Sequence, residues 1–408
     1  VDKEDIANGG DDFLLYALKR EILEELSVDI DELVDSGVIT GIHQYALAVT
    51  PDFNPHRFEN YYYKIFIKDQ EALSQVSFKF DEGEIDSAKW VSSHVAFESY
   101  RRGELLVVPP MITILSDLDR DILSTDFIDA NLKYDGDTCV PMIEPLYGLR
   151  QYMPLSNTFP PANRTNCFVL GDDKDKKLLV DPSPSSKAEM KKLLTSISDH
   201  NISEVFLTHH HPDHHEFSRE IASQLGVGFS MSRGTYDHLL ADFGMNYLKD
   251  HKVHLYNDGD IVTRSCGVDV KLITTGGHAF GQSSLLRVDG AWMIVSDLIQ
   301  TVGTVTIGGR GSCMHEYFQS LQKVIEISPR VVMPSHGISL GGTNKVQATL
   351  KHRLEREEQV SNCLKEGKGK LEILSTIYPE LPTRLHKYAL ETIDSHLEKL
   401  EKFGAGTK

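Results

Sequence analysis

Short apolar runs recur through the middle of the chain, and each one ends on a residue of unusual chemistry. Ile202 to Leu207 runs into Thr208 and a cluster of histidines, and Val268 to Thr275 runs into Gly276-Gly277-His278. Ala291 to Ser296, with Trp292, Ile294 and Val295, runs into Asp297, and Arg330 to Met333 runs into Pro334-Ser335-His336-Gly337. Runs this short and this apolar predict buried strands. Elsewhere the period is helical. Arg20 to Val28 lies on an amphipathic helix whose Glu21, Glu24 and Glu25 share one face. Towards the C-terminus, His352 to Gln359 opens a helix and Leu371 to Tyr378 suggests a second. Thr383 caps a third, with Leu385, Ala389, Ile393, Leu397 and Leu400 on one stripe ending before Gly404.

These changes of pattern divide the chain into residues 1–128, a Pro- and Asp-containing connector at 129–145, a strand-rich domain at 146–345 and a helical domain at 346–408. With 408 residues, 40% hydrophobic and 25% charged, the chain can bury two or three cores. No apolar run approaches a membrane span and no signal-type segment opens the chain, so no membrane partner and a cytoplasmic location are expected. Cys139, Cys167, Cys266, Cys313 and Cys363 are scattered without CxxC pairs and read as reduced thiols. Val1 stands where Met would open a gene product, so further residues upstream are expected.

The histidine run changes the picture most. Thr208-His209-His210-His211-Pro212-Asp213-His214-His215 places an HxHxDH pattern within six residues, on a loop at a strand end where side chains can converge. A lone His is usually a surface or hydrogen-bonded residue, and Asp after a strand is a common helix cap. Four successive strand ends that each deliver His or Asp are hard to reach by chance, and neutral imidazole with carboxylate suits zinc and its neighbours. His209, His211, Asp213, His214, His278, Asp297 and His336 resemble the ligand pattern of the metallo-β-lactamase fold hydrolases, an α/β class built as an αββα sandwich. That resemblance implies two zinc ions, one held by His209, His211 and His278 and the other by Asp213, His214 and His336. Asp297 would bridge them, and Asp213 and Asp297 are the carboxylates expected at the reacting centre. Glu216 and Ser296 depart from the pattern, since Gly is usual at both positions. His210, His215 and His315 are expected to support the site or face solvent.

The chemistry implied is hydrolysis by a metal-bridging hydroxide, with no nucleophilic side chain required. No G-x-S-x-G elbow or Walker-type loop competes with it. In Gly308-Gly309-Arg310-Gly311-Ser312, backbone amides and the Arg310 guanidinium could meet an anionic substrate, although a plain glycine-rich turn accounts for the same residues.

Three carboxylates on one helix face, Glu21, Glu24 and Glu25, repel one another unless a hard cation such as magnesium or manganese lies among them. The same spacing also describes a solvated acidic face. Arg20 to Val28 is similar to half of a Nudix box, with Ser27 where Gly is expected. Ile6 and Asp12 depart from its other half, which implies an insertion or a degenerate or truncated domain. Residues 51–66, Lys89-Trp90-Val91, Gly103-Glu104-Leu105 and Pro109-Pro110 resemble the Nudix branch of coenzyme A diphosphatases. The helical tail with Pro334-Ser335-His336-Gly337 resembles the beta-lactamase-like protein 2 branch, which carries a small winged-helix-like domain.

Substrate readings remain two. The resemblances imply either an acyl thioester of coenzyme A type or a carrier protein, which leads, or single-stranded RNA cut by an endoribonuclease. The net charge of −18 argues against a polyanion. Residues 1–128 hold 26 acidic and 11 basic side chains, however, so most of that charge lies outside the metal domain. The N-terminal unit is then either a hydrolase of nucleoside-diphosphate linkages or a silent binding or dimerisation module, and a homodimer is compatible with it.

Overall fold

The computed structural model describes residues 3–51, 53, 57–79, 85 and 88–406, with the side chains of Glu4 and Asp11 left aside. Of the stretch 51–66, residues 52 and 54–56 lie outside the described residues. Two units result: Val1–Ser99 with Val107–Lys133, and Tyr100–Leu106 with Tyr134–Lys408.

In the smaller unit β1 (Ile39–Val49) and β2 (Glu59–Ile67) pair antiparallel, and β3 (Ile128–Asp129) adds parallel to β1. That last pairing carries the unit past residue 128 to Lys133. The helix Phe13–Leu26 bears the acidic face and ends on Ser27 at φ 54°. A left-handed cap of this kind explains why glycine suits that position.

The larger unit holds two sheets. The first runs β4 (Met142–Leu146), β5 (Leu149–Tyr152), β6 (Cys167–Leu170), β7 (Leu178–Val180), β8 (Glu204–Phe206), β9 (Gly228–Ser232) and β10 (Val253–Tyr256), neighbours in that order. Thus part of the stretch expected as a connector is strand β4. The second runs β11 (Ile261–Ser265), β12 (Val268–Thr274), β13 (Ser283–Arg287), β14 (Met293–Ser296), β15 (Val331–Pro334) and β16 (Leu340–Gly341).

Alternation within the apolar runs sets the layers, because successive side chains on a strand point to opposite faces. Phe168, Leu170, Val180 and Phe206 meet Leu272, Leu285, Trp292, Ile294 and Met333 between the sheets. Their neighbours Val169, Leu179, Val205 and Leu207 face the other way, into a core with Leu193 and Ile221 of the helices Lys187–Ser196 and Ser218–Leu225. On the far side Ile273, Met293, Val295 and Val332 pack against Tyr317, Phe318 and Leu321 of the helix Met314–Ile327. The larger unit is therefore an αββα sandwich. Strands buried on both faces read as continuous apolar runs, as this sequence does.

The tail packs helices Asn344–Lys365, Lys370–Ile377 and His386–Phe403 around Val360, Cys363, Ile373, Leu374, Ala389 and Ile393. The first helix begins eight residues before the expected His352, and its early Val346 and Leu350 join the core of the second sheet. Thr383 does not cap the third helix: it opens a 3-10 turn, Thr383–Leu385, that feeds into it. Glu357 and Lys399 pair at 3.0 Å, both nearly excluded from solvent, and Lys399 Nζ also donates to the carbonyls of Gly404 (3.1 Å) and Gly406 (2.6 Å). All five cysteines are free. Among the described residues no helix is long and apolar enough to cross a membrane.

Candidate metal centre

The segments that follow β8, β12, β14 and β15 bring the seven ligand candidates together. His209, His211 and His278 offer ligand atoms within 4.8 Å of one another, as do His209, His214 and Asp297, and Asp213, His214 and His336. Asp297 faces both sets: its Oδ2 lies 3.6 Å from His278 Nε2 and 3.6 Å from His214 Nε2, and its Oδ1 lies 3.5 Å from His336 Nε2.

Hydrogen bonds behind the rings fix which nitrogen faces inward. His278 Nδ1–H donates to the Thr306 carbonyl at 2.9 Å, and His336 Nδ1–H to the Arg164 carbonyl at 3.0 Å. His214 Nδ1–H donates to Asp181 Oδ2 at 2.9 Å. Behind His209 the hydroxyls of Thr208 and Ser296 already spend their protons, on Asp181 Oδ2 and on Thr208 Oγ1 respectively. His209 Nδ1, 3.1 Å from Thr208 Oγ1, must therefore be the donor there. Each of these rings is left with an Nε2 lone pair aimed at the centre, while His211 presents Nδ1, 3.0 Å from His209 Nε2 and 2.9 Å from His278 Nε2.

A His211 Nδ1–H can serve only one of these two contacts, and the lone pairs left over repel unless a cation lies among them. His214 Nε2 and Asp297 Oδ1 are buried with no hydrogen-bond partner, an arrangement that costs roughly 1–3 kcal/mol per group unless it is met by a ligand. The donor set of imidazole and carboxylate thus fits divalent transition metals.

Electrostatics reflect the same crowding. Burial pushes the His209 imidazole well down, lowers His278, and takes His211 down to about 2. Burial also opposes charge on His214 and His336 but is outweighed, chiefly by Asp297, so both rise above the ordinary histidine value. Asp297 is held well below the usual carboxylate range despite its burial, by His336 and His214.

The remaining candidates lie elsewhere. His215 donates to the His210 carbonyl through Nε2 at 3.0 Å and bonds Tyr247 Oη at 2.8 Å, which braces the backbone of the motif. His315 stacks on Phe403 with ring centroids 3.9 Å apart. Arg310 is exposed and bonds Asp242 Oδ1 at 3.0 Å. Glu21 and Glu24 each meet the Arg20 guanidinium at 2.7 Å, and Glu25 is exposed. Among the described residues every cluster of three ligand atoms lies in the larger unit.

The two departures from the ligand pattern have separate geometries. Ser296 adopts φ 51°, the left-handed conformation that makes glycine usual before the bridging Asp, and its hydroxyl bonds Thr208. Glu216 is at φ −59°, and the left-handed residue is Phe217 at φ 58°, so no glycine is required at 216.

Sequence reasoning missed Asp181. Its carboxylate accepts from Thr208 N (2.8 Å), Thr208 Oγ1 (2.6 Å) and His214 Nδ1 (2.9 Å). It directly follows the apolar strand β7, the same strand-end signal that singled out Asp297.

Comparison with known proteins agrees with this geometry. Residues 160–336 match the metallo-beta-lactamase superfamily, and residues 371–405 match the beta-lactamase associated winged helix domain. The chain is 27% identical over 251 residues to a beta-lactamase-like protein 2 homolog of Caenorhabditis elegans, covering 59% of this chain and 79% of that protein. It is 27% identical over 208 residues to the atrochrysone carboxyl ACP thioesterase of Aspergillus fumigatus, covering 48% and 58% respectively. A beta-lactamase domain protein from Burkholderia ambifaria superimposes with a TM-score of 0.55 at 20% identity, covering 66% of this chain and 89% of that one, which shows the fold. Fold and site define a metal-dependent hydrolase that is similar, across residues 160–336, to the metallo-β-lactamase superfamily. Within that class the chain carries a winged-helix tail and has homologues among the beta-lactamase-like protein 2 proteins.

Proposed function

We propose that this protein is a zinc-dependent hydrolase of acyl thioesters, of coenzyme A type or borne on a carrier protein. The observation that carries the metal-dependent part is the inward, unpartnered set of nitrogen and carboxylate atoms at His214 and Asp297. When bound, two zinc ions supply an activated water and polarise the electrophile. The chain's own residues do the rest. His209, His211 and His278 would hold one ion and Asp213, His214 and His336 the other, with Asp297 facing both sets. Asp181 and the Thr306 and Arg164 carbonyls keep the rings turned inward. Similarity to a carrier-protein thioesterase supports the thioester as substrate.

A second reading, cleavage of single-stranded RNA, draws support from a cavity of about 240 Å³ lined by Gln300, Thr304, Lys345, His352 and Arg353. Its cationic side chains suit a phosphate, which RNA and coenzyme A share. The experiment that separates the readings is a side-by-side assay of the zinc-loaded protein on an acyl-coenzyme A panel and on labelled single-stranded RNA, with His211→Ala as the blank. Thioester turnover alone supports the proposal, and RNA cleavage alone overturns it.

For the N-terminal unit we propose a non-catalytic binding or dimerisation role rather than a magnesium- or manganese-dependent Nudix-like hydrolase. Supporting this, the Arg20 guanidinium stands where a cation would have to join Glu21 and Glu24.

A further inference from the structure

Beside the metal centre lies a second group of ligands that the proposed reaction does not use. His210 sits between the ligand candidates His209 and His211 in sequence, and its ring lies 4.8 Å from that of His211 and equally 4.8 Å from that of His238 on the helix Arg233–Phe243. There it meets His238 and Asp242, which share one face of that helix at i and i+4. The three side chains place one ligand atom each within 4.8 Å of one another.

Three features of this group point to a cation. His210 is 4% exposed and presents Nε2 to Asp242, while Nδ1 of His238 is buried without a hydrogen-bond partner. His210 Nε2 stands 3.7 Å from Asp242 Oδ2, too far for a hydrogen bond. That gap is close to the 3.5 and 3.6 Å separating His336 and His214 from Asp297, and two ligands of one tetrahedral ion bonded at about 2.0–2.1 Å stand roughly 3.3 Å apart. Finally, Gly311 at φ 85° lets the backbone pass close against both rings: a Cβ there would lie 3.0 Å from His238 Cε1, 3.3 Å from His238 Nδ1 and 3.6 Å from His210 Cε1.

We propose that His210, His238 and Asp242 form a third metal site, separate from the paired centre and suited to a divalent first-row transition ion, zinc above all. Two neutral imidazoles and one carboxylate are a zinc donor set that leaves a fourth position open. Asp242 can serve the ion through Oδ2 while Arg310 holds Oδ1 at 3.0 Å, the outer hydrogen bond that ligating carboxylates commonly keep. Arg310 thereby becomes a support of this site, and the glycines around it make room for the rings.

The test is a count. The full chain is stripped with a chelator, equilibrated with zinc by dialysis, and its bound zinc is measured by elemental mass spectrometry. Three ions per chain are expected for the wild type, and two for His238→Ala and for Asp242→Asn, whose exposed position makes misfolding no explanation for a loss. A wild-type count that stops at two, or variants that keep the wild-type count, overturns the proposal. The paired centre is scored independently: in an Asp297→Ala background, adding His238→Ala must remove one further ion. If it does not, the third site fails whatever the fate of the pair.

Discussion

Replacing Asp181 with Asn tests the logic of the metal centre without touching a proposed ligand. The buried carboxylate accepts three hydrogen bonds, two from Thr208 and one from His214 Nδ1. An amide of the same shape keeps one oxygen for the Thr208 backbone and turns a donor towards the other two partners. His214 must then lose its bond or move its proton to Nε2, the atom that faces the metal. Loss of an orienting partner behind a ligating histidine costs about 10–100-fold in metal affinity, or about 1.4–2.7 kcal/mol. The effect should fall first on the ion held by Asp213, His214 and His336, since His209 feels Asp181 only through the Thr208 hydroxyl. Competition for zinc against a chromogenic chelator measures the change, and circular dichroism confirms that the variant is folded. Zinc affinity within about twofold of wild type in a folded Asp181→Asn protein would show that ring orientation here is set by something other than this carboxylate.

Asp297→Ala should abolish hydrolysis and weaken metal loading while the chain stays folded, and full turnover in that variant would refute the dinuclear reading. Ser296→Gly should change stability by less than about 1 kcal/mol, because relief of left-handed strain offsets the lost hydroxyl bond; a denaturant titration showing a much larger loss would contradict this. Glu357→Gln takes the counter-charge from the buried Lys399 and leaves it its carbonyl partners Gly404 and Gly406, at a cost of up to about 3–5 kcal/mol, so hydrogen exchange in the helix His386–Phe403 should accelerate and unchanged protection is the refuting result. At pH values below their raised folded-state pKa values, zinc binding should release protons from His214 and His336. Raised values also stabilise the metal-free form below about pH 6.5, a contribution lost as pH rises through the folded-state pKa values. Calorimetry in two buffers of different ionisation enthalpy counts the protons, and none released would disprove the assignment.

The convergence of the ligand candidates was legible because each group follows a strand that is apolar on both faces, and such runs announce their own ends. Asp181 obeys the same rule after Leu178–Val180 but stands alone, without a neighbouring His to draw notice. His238 and Asp242 are a helical i, i+4 pair whose meaning depends on where His210 points, and no local pattern carries that. The start of the helix Asn344–Lys365 was hidden because its first turns are polar apart from Val346 and Leu350, which bury against the second sheet. The boundary after residue 128 was hidden for a related reason: the two-residue strand β3 earns its place only by pairing with β1, far back in the sequence.

Four of the seven ligand candidates follow a strand of the first sheet and three follow strands of the second, across a core that holds the sheets together. Leu170, Phe206, Leu272, Trp292 and their neighbours are fully buried there, and each such side chain contributes roughly 1.5–3 kcal/mol in gross terms. The cage is consequently a product of folding and not its cause, unlike a zinc finger that collapses around its ion. The order expected for maturation follows: the polypeptide closes first, then acquires its metal, and a stripped molecule should keep a preshaped seat that can be filled again.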